Sequence, residues 1–343
     1  MRVRVLTSDD GKNDLPREDE PFPVSRLKSV YLAHTPVIPN LLPRLLSLER
    51  GAVIHLHISC AYTPEIVWLW AKLRGRRYVA HVHLDVLPSG RAGSLLAPYK
   101  RFCLRPVLRG AAVVLVPTPD YQKLIRDKYA IPPSRIVVIK NATDHRIAER
   151  PRSLKRKEAA RKEAAQRRLL FVGRLAAQKN IPLMLEAIAC YVKRHGSHLR
   201  LSIVGDGEMR SAVQSHIDRL ALREIVTLRG PLHGEALQSA YEDSDLLLLT
   251  STNESFGLVL IEAMTKGLPI VSVNIPAVRD VVMSGENGLL AESTPEAVAD
   301  AIHTLLADEA LYSEVSRNNL EKARDYDWNV VTNDLATVYD AFG

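Results

Sequence analysis

Short apolar runs rich in valine, isoleucine and leucine recur along this chain, separated by stretches with helical periodicity. In the first half the runs are Val3–Thr7, Val53–Ile58, Tyr78–His83, Val113–Val116 and Ile136–Ile139, with helical patterns at Pro64–Arg74 and Leu95–Arg109. In the second half they are Leu169–Val172, Leu201–Val204, Ile225–Leu228, Leu246–Thr250, Ile270–Val273 and Leu289–Ala291. Helical patterns there include Pro182–Arg194 and Gly257–Lys266. A strand that is apolar on both faces must be covered on both, and parallel neighbours need a crossover, usually a helix. The pattern therefore predicts the α/β class, with parallel sheets built from βαβ units.

Residues 149–167 break the rhythm. Glu149-Arg150-Pro151 leads into lysine, arginine, glutamate and alanine with almost no large apolar side chain, which reads as a solvated linker or helix and as the domain boundary. The expected division is a first domain over 1–150, a linker over 151–167, a second domain over 168–325, and a terminal amphipathic stretch over 326–343. With 343 residues, each half is large enough for its own core. Two such domains in tandem would leave a cleft between the carboxyl edges of their sheets, where open α/β folds bind ligands.

Charge is distributed unevenly between the halves. Residues 1–168 carry 32 Lys+Arg against 15 Asp+Glu, a net +17, while the remainder carries 14 against 24, a net −10. The basic half suits a phosphorylated substrate or an anionic membrane surface. Nucleic acid fits poorly, because aromatics make up 6% of the chain and do not interleave with the basic residues. The three cysteines, Cys60, Cys103 and Cys190, are too few and too scattered for a disulfide framework or a cysteine zinc site. They suggest a reducing cytoplasm. No run of eighteen apolar residues is present, and the chain opens on strand-like Arg2-Val3-Arg4-Val5-Leu6 rather than on a signal peptide.

The densest motif is Thr250-Ser251-Thr252-Asn253-Glu254-Ser255-Phe256-Gly257-Leu258-Val259-Leu260-Ile261-Glu262-Ala263-Met264. A buried strand passes through a polar loop and a glycine into a helix, whose first free N–H groups, from about Phe256 to Val259, can bind an anion. Glu262, early in the helix, can accept hydrogen bonds from a vicinal diol such as a ribose, and Glu254 can face hydroxyls beyond the phosphates. A second motif, Phe171-Val172-Gly173-Arg174-Leu175-Ala176-Ala177-Gln178-Lys179-Asn180, puts two cations, Arg174 and Lys179, in one loop after a strand. Such a pair can neutralise a departing diphosphate. A third, Val204-Gly205-Asp206-Gly207, is a tight turn compatible with nucleotide binding but weak alone.

Together these stretches resemble the retaining glycosyltransferases of family 4. The likeness extends to Gly267-Leu268-Pro269-Ile270-Val271, to Asn287–Ser293 and to the final amphipathic stretch Trp328–Phe342. It implies the GT-B fold, two Rossmann-like domains with parallel sheets facing across a cleft, and metal-independent transfer from a nucleotide-sugar, usually UDP-linked. No other cofactor is implied. By that resemblance Arg174 and Lys179 contact the diphosphate, Glu262 the ribose and Glu254 the transferred sugar, Phe256, Gly257 and Leu258 give main-chain contacts to sugar and phosphate, and Gly205 belongs to the donor-binding set. The acceptor, a saccharide, a lipid-linked saccharide or a small natural product, belongs to the basic half. The last helix is expected to cross back to the first domain.

Two histidine pairs, His55/His57 and His81/His83, each lie at spacing two and so on one face of a strand. With Asp85 the only acid at ligand spacing and the first histidine of each pair mid-strand, the reading is that no metal is bound. The family resemblance instead makes His83, with Glu254, a catalytic candidate that reaches the donor sugar from the first domain. Thr118 and Asn141 match polar loop positions of the family, although Ala142 stands where a glycine is usual. Asn274–Asp280 lacks the family's common glycine pair and following glutamate. Arg2–Thr7 resembles the second strand of the family's first domain, so the first strand and its glycine-rich loop are expected to be missing or replaced. That absence motivates an alternative, a non-catalytic or partner-dependent nucleotide-binding module. The segment Leu95–Arg109 reads as an amphipathic helix over its own sheet in preference to an interfacial membrane helix.

Overall fold

The computed structural model describes residues 3–9, 22–32, 35–58, 61–83, 85, 96–143 and 166–341. The chain divides into two compact units, one of Met1–Ile139 with Thr337–Gly343 and one of Lys140–Ala336. The expected linker lies outside the described residues as far as residue 165.

In the first unit the strands are β1 (Val5–Ser8), β2 (Val24–Leu27), β3 (Val30–Leu32), β4 (Thr35–Val37), β5 (Ile54–Ile58), β6 (Tyr78–Val82), β7 (Val113–Val116) and β8 (Ile136–Val138). The last four form a parallel sheet in simple consecutive order, while β1 and β2 make a separate parallel pair and β3 and β4 an antiparallel hairpin. The sequence pattern anticipates neither β2 nor the hairpin. Pro36 sits inside β4, and a proline in a strand is tolerated there because a two-stranded ladder consists only of edges. Strand β6 stops at Val82, so His83 lies one residue past its end rather than on it.

Helix Thr63–Arg74 ends on Gly75 in the left-handed region at φ 60°, and helix Pro119–Tyr129 begins on Thr118, whose side chain accepts the Tyr121 N–H. Thr118 is 1% exposed, so this family-matched polar position acts as a helix cap. The basic segment after residue 95 forms helix Leu96–Tyr99, a π turn at Lys100–Leu104 and helix Arg105–Gly110. The wide turn precedes Pro106, which has no N–H for the ladder. Leu104, Val107 and Leu108 join the first unit's core, while Phe102 remains exposed. Among the described residues no helix is long and apolar enough to cross a membrane.

The second unit contains β9 (Arg167–Val172), β10 (Leu199–Val204), β11 (Val226–Gly230), β12 (Leu246–Leu249), β13 (Ile270–Val273) and β14 (Leu289–Ala291) in one parallel sheet, ordered β11-β10-β9-β12-β13-β14. The chain first builds outward from β9 in one direction and then returns to build from its other edge, which is the doubly wound arrangement. Leu246 to Leu249 are each at most 1% exposed, so together they contribute roughly 6–12 kcal/mol of burial. Helix Ile181–His195 covers one stretch of the sheet, buries Met184, Leu185 and Ile188, and collects Lys193, Arg194 and His195 at its carboxyl end, as the helix dipole favours. The final helix, Trp328–Asp340, is divided, its residues from Thr337 clustering with the first unit.

Candidate active site

The switch in strand order falls between β9 and β12, and ligands of open α/β sheets bind outside the carboxyl ends of the strands at such a point. The loops leaving those two strands hold Lys179 and Glu254. They are stitched together by their backbones. Thr250 Oγ1 donates to the carbonyls of Lys179 and Asn180 at 3.1 Å each, and the Thr252 N–H donates to the Gln178 carbonyl at 2.8 Å. Lys179 Nζ then lies 2.5 Å from Glu254 Oε1, with the two side chains 13% and 10% exposed. Ser251 Oγ donates to the same oxygen at 2.7 Å. An ion pair this shielded is held by fixed neighbours and is little screened by water.

Arg174 is oriented differently. Its guanidinium meets Glu208 at 3.1 Å on an open surface, 72% exposed on the arginine side. The loop that carries Glu208 packs backbone to backbone against the Arg174 loop, through Leu175 N–H to the Asp206 carbonyl at 2.9 Å and Met209 N–H to the Leu175 carbonyl at 2.9 Å. This contact explains the glycines. Gly205 has φ 131°, and a Cβ there would lie 1.9 Å from the Gly173 oxygen. Gly205 thus permits the close approach of the loops after β9 and β10. Gly205→Ala is expected to cost about 3 kcal/mol of second-unit stability, from the strained φ together with the overlap. Urea unfolding followed by far-UV circular dichroism checks this, and a midpoint unchanged from wild type would show that the loops do not need the contact.

Gly257, at φ 77°, precedes helix Leu258–Thr265; the Leu260 N–H donates to the Gly257 carbonyl at 2.8 Å, and the N–H groups of Leu258 and Val259 lie ahead of that first bond. Phe256 is 1% exposed and stands edge-on to Tyr326 with ring centroids 5.8 Å apart, so its ring belongs to the core. Leu258 is exposed. Glu262, half-buried on the same helix, accepts the Tyr241 hydroxyl at 2.5 Å. Burial pushes the Glu262 carboxyl above its ordinary value, partly opposed by that hydrogen bond. The stretch that departs from the family pattern forms a short helix, Pro276–Arg279, burying Ala277 and Val278.

His83 lies in the first unit with the other three histidines. Register pairs His57 with His81 across β5 and β6, which puts all four rings on one face. His57 Nδ1 is 2.7 Å from His83 Nε2, and His55 Nε2 is 3.1 Å from His81 Nδ1. Burial first, and then the neighbouring imidazoles, push His55 down to about 4 and His81 to about 2. Asp85, the acid at ligand spacing, is turned elsewhere. It accepts from Lys100 Nζ at 2.7 Å, from Lys128, and from the Tyr129 hydroxyl at 2.9 Å.

Four participants escape the sequence reading. Ser251 and Thr250 lie within the quoted motif but signal no partner. Glu208 follows the glycine turn, where nothing local marks it as a partner of Arg174. Tyr241 is 21 residues from Glu262 and belongs to no motif, so only the fold reveals it.

The family model for glycosyl transferases group 1 matches residues 111–322, and that for the glycosyl transferase 4-like domain matches residues 1–142. An alpha-D-kanosaminyltransferase of Streptomyces kanamyceticus is 27% identical over 308 residues, covering 86% of this chain and 78% of that protein. A D-inositol 3-phosphate glycosyltransferase of Corynebacterium efficiens is 29% identical over 307 residues, covering 85% and 72%. Two further relatives share a shorter stretch, 44% and 60% of their own length. Among solved structures, the Anabaena protein HepE in complex with UDP-glucose superimposes with a TM-score of 0.72 at 19% identity, covering 93% of this chain and 86% of that one. The fold is GT-B. With one family model spanning over half of it, the chain belongs to the group 1 glycosyltransferases.

Proposed function

We propose that this enzyme is a retaining glycosyltransferase that moves a hexose or N-acetylhexosamine from a UDP-linked sugar to a hydroxyl of an anionic, polyhydroxylated acceptor. The observation that carries the reading is the shielded Lys179–Glu254 pair at the strand-order switch, beside the helix that starts at Gly257. Lys179, the N–H groups of that helix and, from the outer side, Arg174 would stabilise the diphosphate as it leaves. Glu262, oriented by Tyr241, would hold the ribose hydroxyls. Glu254 would bind the transferred sugar and stabilise positive charge on its ring in an oxocarbenium-like state. The charge of the departing group is met by protein cations, so no divalent ion is needed to bridge the phosphates. An anionic acceptor suits the net +17 of residues 1–168, and one relative bears the name of an inositol phosphate glycosyltransferase.

Calorimetry with UDP, followed by assay of UDP-glucose and UDP-N-acetylglucosamine against inositol phosphates and simple saccharides, tests the reading. The expected result is saturable UDP binding, transfer without added Mg²⁺ or Mn²⁺, and an α-configured product by NMR. Absence of UDP binding would overturn the donor assignment, an inverted anomer the retaining mechanism, and strict dependence on Mg²⁺ or Mn²⁺ the charge accounting.

A further inference from the structure

We propose that His55, His57 and His81 of the first unit form a binding site for a zinc-like transition-metal ion. The sequence alone argues against a metal, because Asp85 is the one acid at ligand spacing and the first histidine of each pair falls mid-strand. Cross-strand register changes that. It sets β5 beside β6 with His57 opposite His81, and one ring nitrogen from each of the three histidines comes within 4.8 Å of the others. A tetrahedral ion with Zn–N bonds of about 2.0–2.1 Å holds its ligand atoms roughly 3.3 Å apart. The 3.1 Å between His55 Nε2 and His81 Nδ1 is already near that spacing, and small ring rotations bring in the third nitrogen.

Two further features point the same way. His81 is 8% exposed, and its Nε2 is buried without a hydrogen-bond partner among the described residues. A buried ring nitrogen with no partner is costly; a ring turned to offer Nε2 to the ion in place of Nδ1 would satisfy it, an alternative placement to the one that uses the 3.1 Å spacing. The outer partners of the other two rings are also present. Tyr339 lies against His55 Nδ1, and His83 lies 2.7 Å from His57 Nδ1. Metal-bound histidines characteristically have their second nitrogen held in this way, which fixes ring orientation.

Chemistry restricts the ion. Three imidazoles with no carboxylate suit Zn²⁺, Co²⁺, Ni²⁺ or Cu²⁺ and not Mg²⁺ or Ca²⁺, which require oxygen ligands. Asp85 cannot convert the set, because Lys100, Lys128 and Tyr129 already hold its carboxylate. A metal here would tie β5, β6 and, through Tyr339, the end of the last helix, so its first consequence is stability of this unit. The assignment does not depend on the proposed donor chemistry, since every ligand lies in the first unit.

The experiment uses the full chain purified without a polyhistidine tag, stripped with chelator, and titrated with Zn²⁺ and Co²⁺. Expected are one ion per chain, the intense visible bands of low-symmetry four-coordinate Co²⁺, and a higher thermal midpoint with Zn²⁺. Tyr339→Phe should weaken Zn²⁺ about tenfold, and His81→Gln should weaken it further. His198→Gln, at a histidine outside the cluster, should leave affinity unchanged. Failure of the unmodified chain to bind one ion saturably, or a Co²⁺ spectrum of the weak octahedral type, would overturn the proposal without recourse to any variant. Equal loss of affinity in His81→Gln and His198→Gln would also overturn it, as would Mg²⁺ competing equally with Zn²⁺.

Discussion

Replacing Lys179 with alanine is expected to lower the transfer rate by about 10²–10³-fold while the chain stays folded. The size follows from removing one preorganised charge from a site shielded from water, a loss of roughly 2.7–4 kcal/mol in comparable cases. The direction follows from the geometry. Lys179 and Glu254 have only 13% and 10% of their side chains exposed, so water can only partly replace the missing ammonium. Glu254 would keep the Ser251 hydroxyl but lose the ammonium that pairs with it. On the proposed mechanism two functions would fail together: the leaving diphosphate would lose a cation, and the carboxylate proposed to meet the sugar would lose the partner that holds it in place. Glu254→Gln separates them, because it retains Lys179 and removes the carboxylate. If Glu254 stabilises charge in the transition state, this variant should bind UDP nearly as well as wild type and lose rate. Arg174→Ala should cost less than Lys179→Ala, since its guanidinium is 72% exposed and already paired with Glu208. Steady-state kinetics and UDP calorimetry on the three variants check the order. Wild-type rates in Lys179→Ala would remove the phosphate role from this loop.

How far the sequence reveals such a site depends on which interactions are local. Strand β12 is legible because Leu246 to Leu249 are buried on both faces, leaving an unbroken apolar run that few alternatives accommodate. Strand β4 is not, because Thr35-Pro36-Val37 carries a proline that ordinarily argues against a strand. Lys179 and Glu254 each announce themselves within a loop motif, yet their pairing spans 75 residues and follows only from β12 lying beside β9. The helix start at Gly257 can be read from its glycine and the apolar run behind it. Tyr241 cannot, since nothing local marks a tyrosine near the end of a short helix as the partner of a later glutamate. The histidines show the same division. Spacing two fixes the face of each pair, whereas the register that brings His57 opposite His81 depends on Ile54 aligning with Tyr78, a property of the assembled sheet.

Asp85→Ala is expected to destabilise the first unit by about 3–5 kcal/mol, the range for removing one partner of a buried ion pair. Asp85 and Lys100 are 6% and 9% exposed along their side chains, and the same carboxylate accepts from Lys128 and the Tyr129 hydroxyl. Removing it leaves the Lys100 ammonium in a poorly solvated place without its counter-charge. Burial already holds the Lys100 amine below its ordinary value, against the opposing pull of Asp85, so the loss falls mainly on that lysine. Lys128, with 37% of its side chain exposed, can turn towards water. Burial alone would raise the Asp85 carboxyl, but hydrogen bonds from Lys100, Lys128 and Tyr129 outweigh it and hold the group below the usual carboxylate range. The stability contributed by a group lowered in this way is present above its unfolded pKa and lost as pH falls through the folded value. The difference between wild type and Asp85→Ala should therefore shrink in acid. Urea titrations followed by tryptophan fluorescence suit the test, since Trp68 and Trp70 lie in this unit. The combined change Asp85→Leu, Lys100→Met and Tyr129→Phe should recover most of the loss, because an apolar set of similar volume avoids the desolvation that the charged set must overcome. A single Asp85→Ala variant as stable as wild type at neutral pH would show that the carboxylate is not holding these elements together.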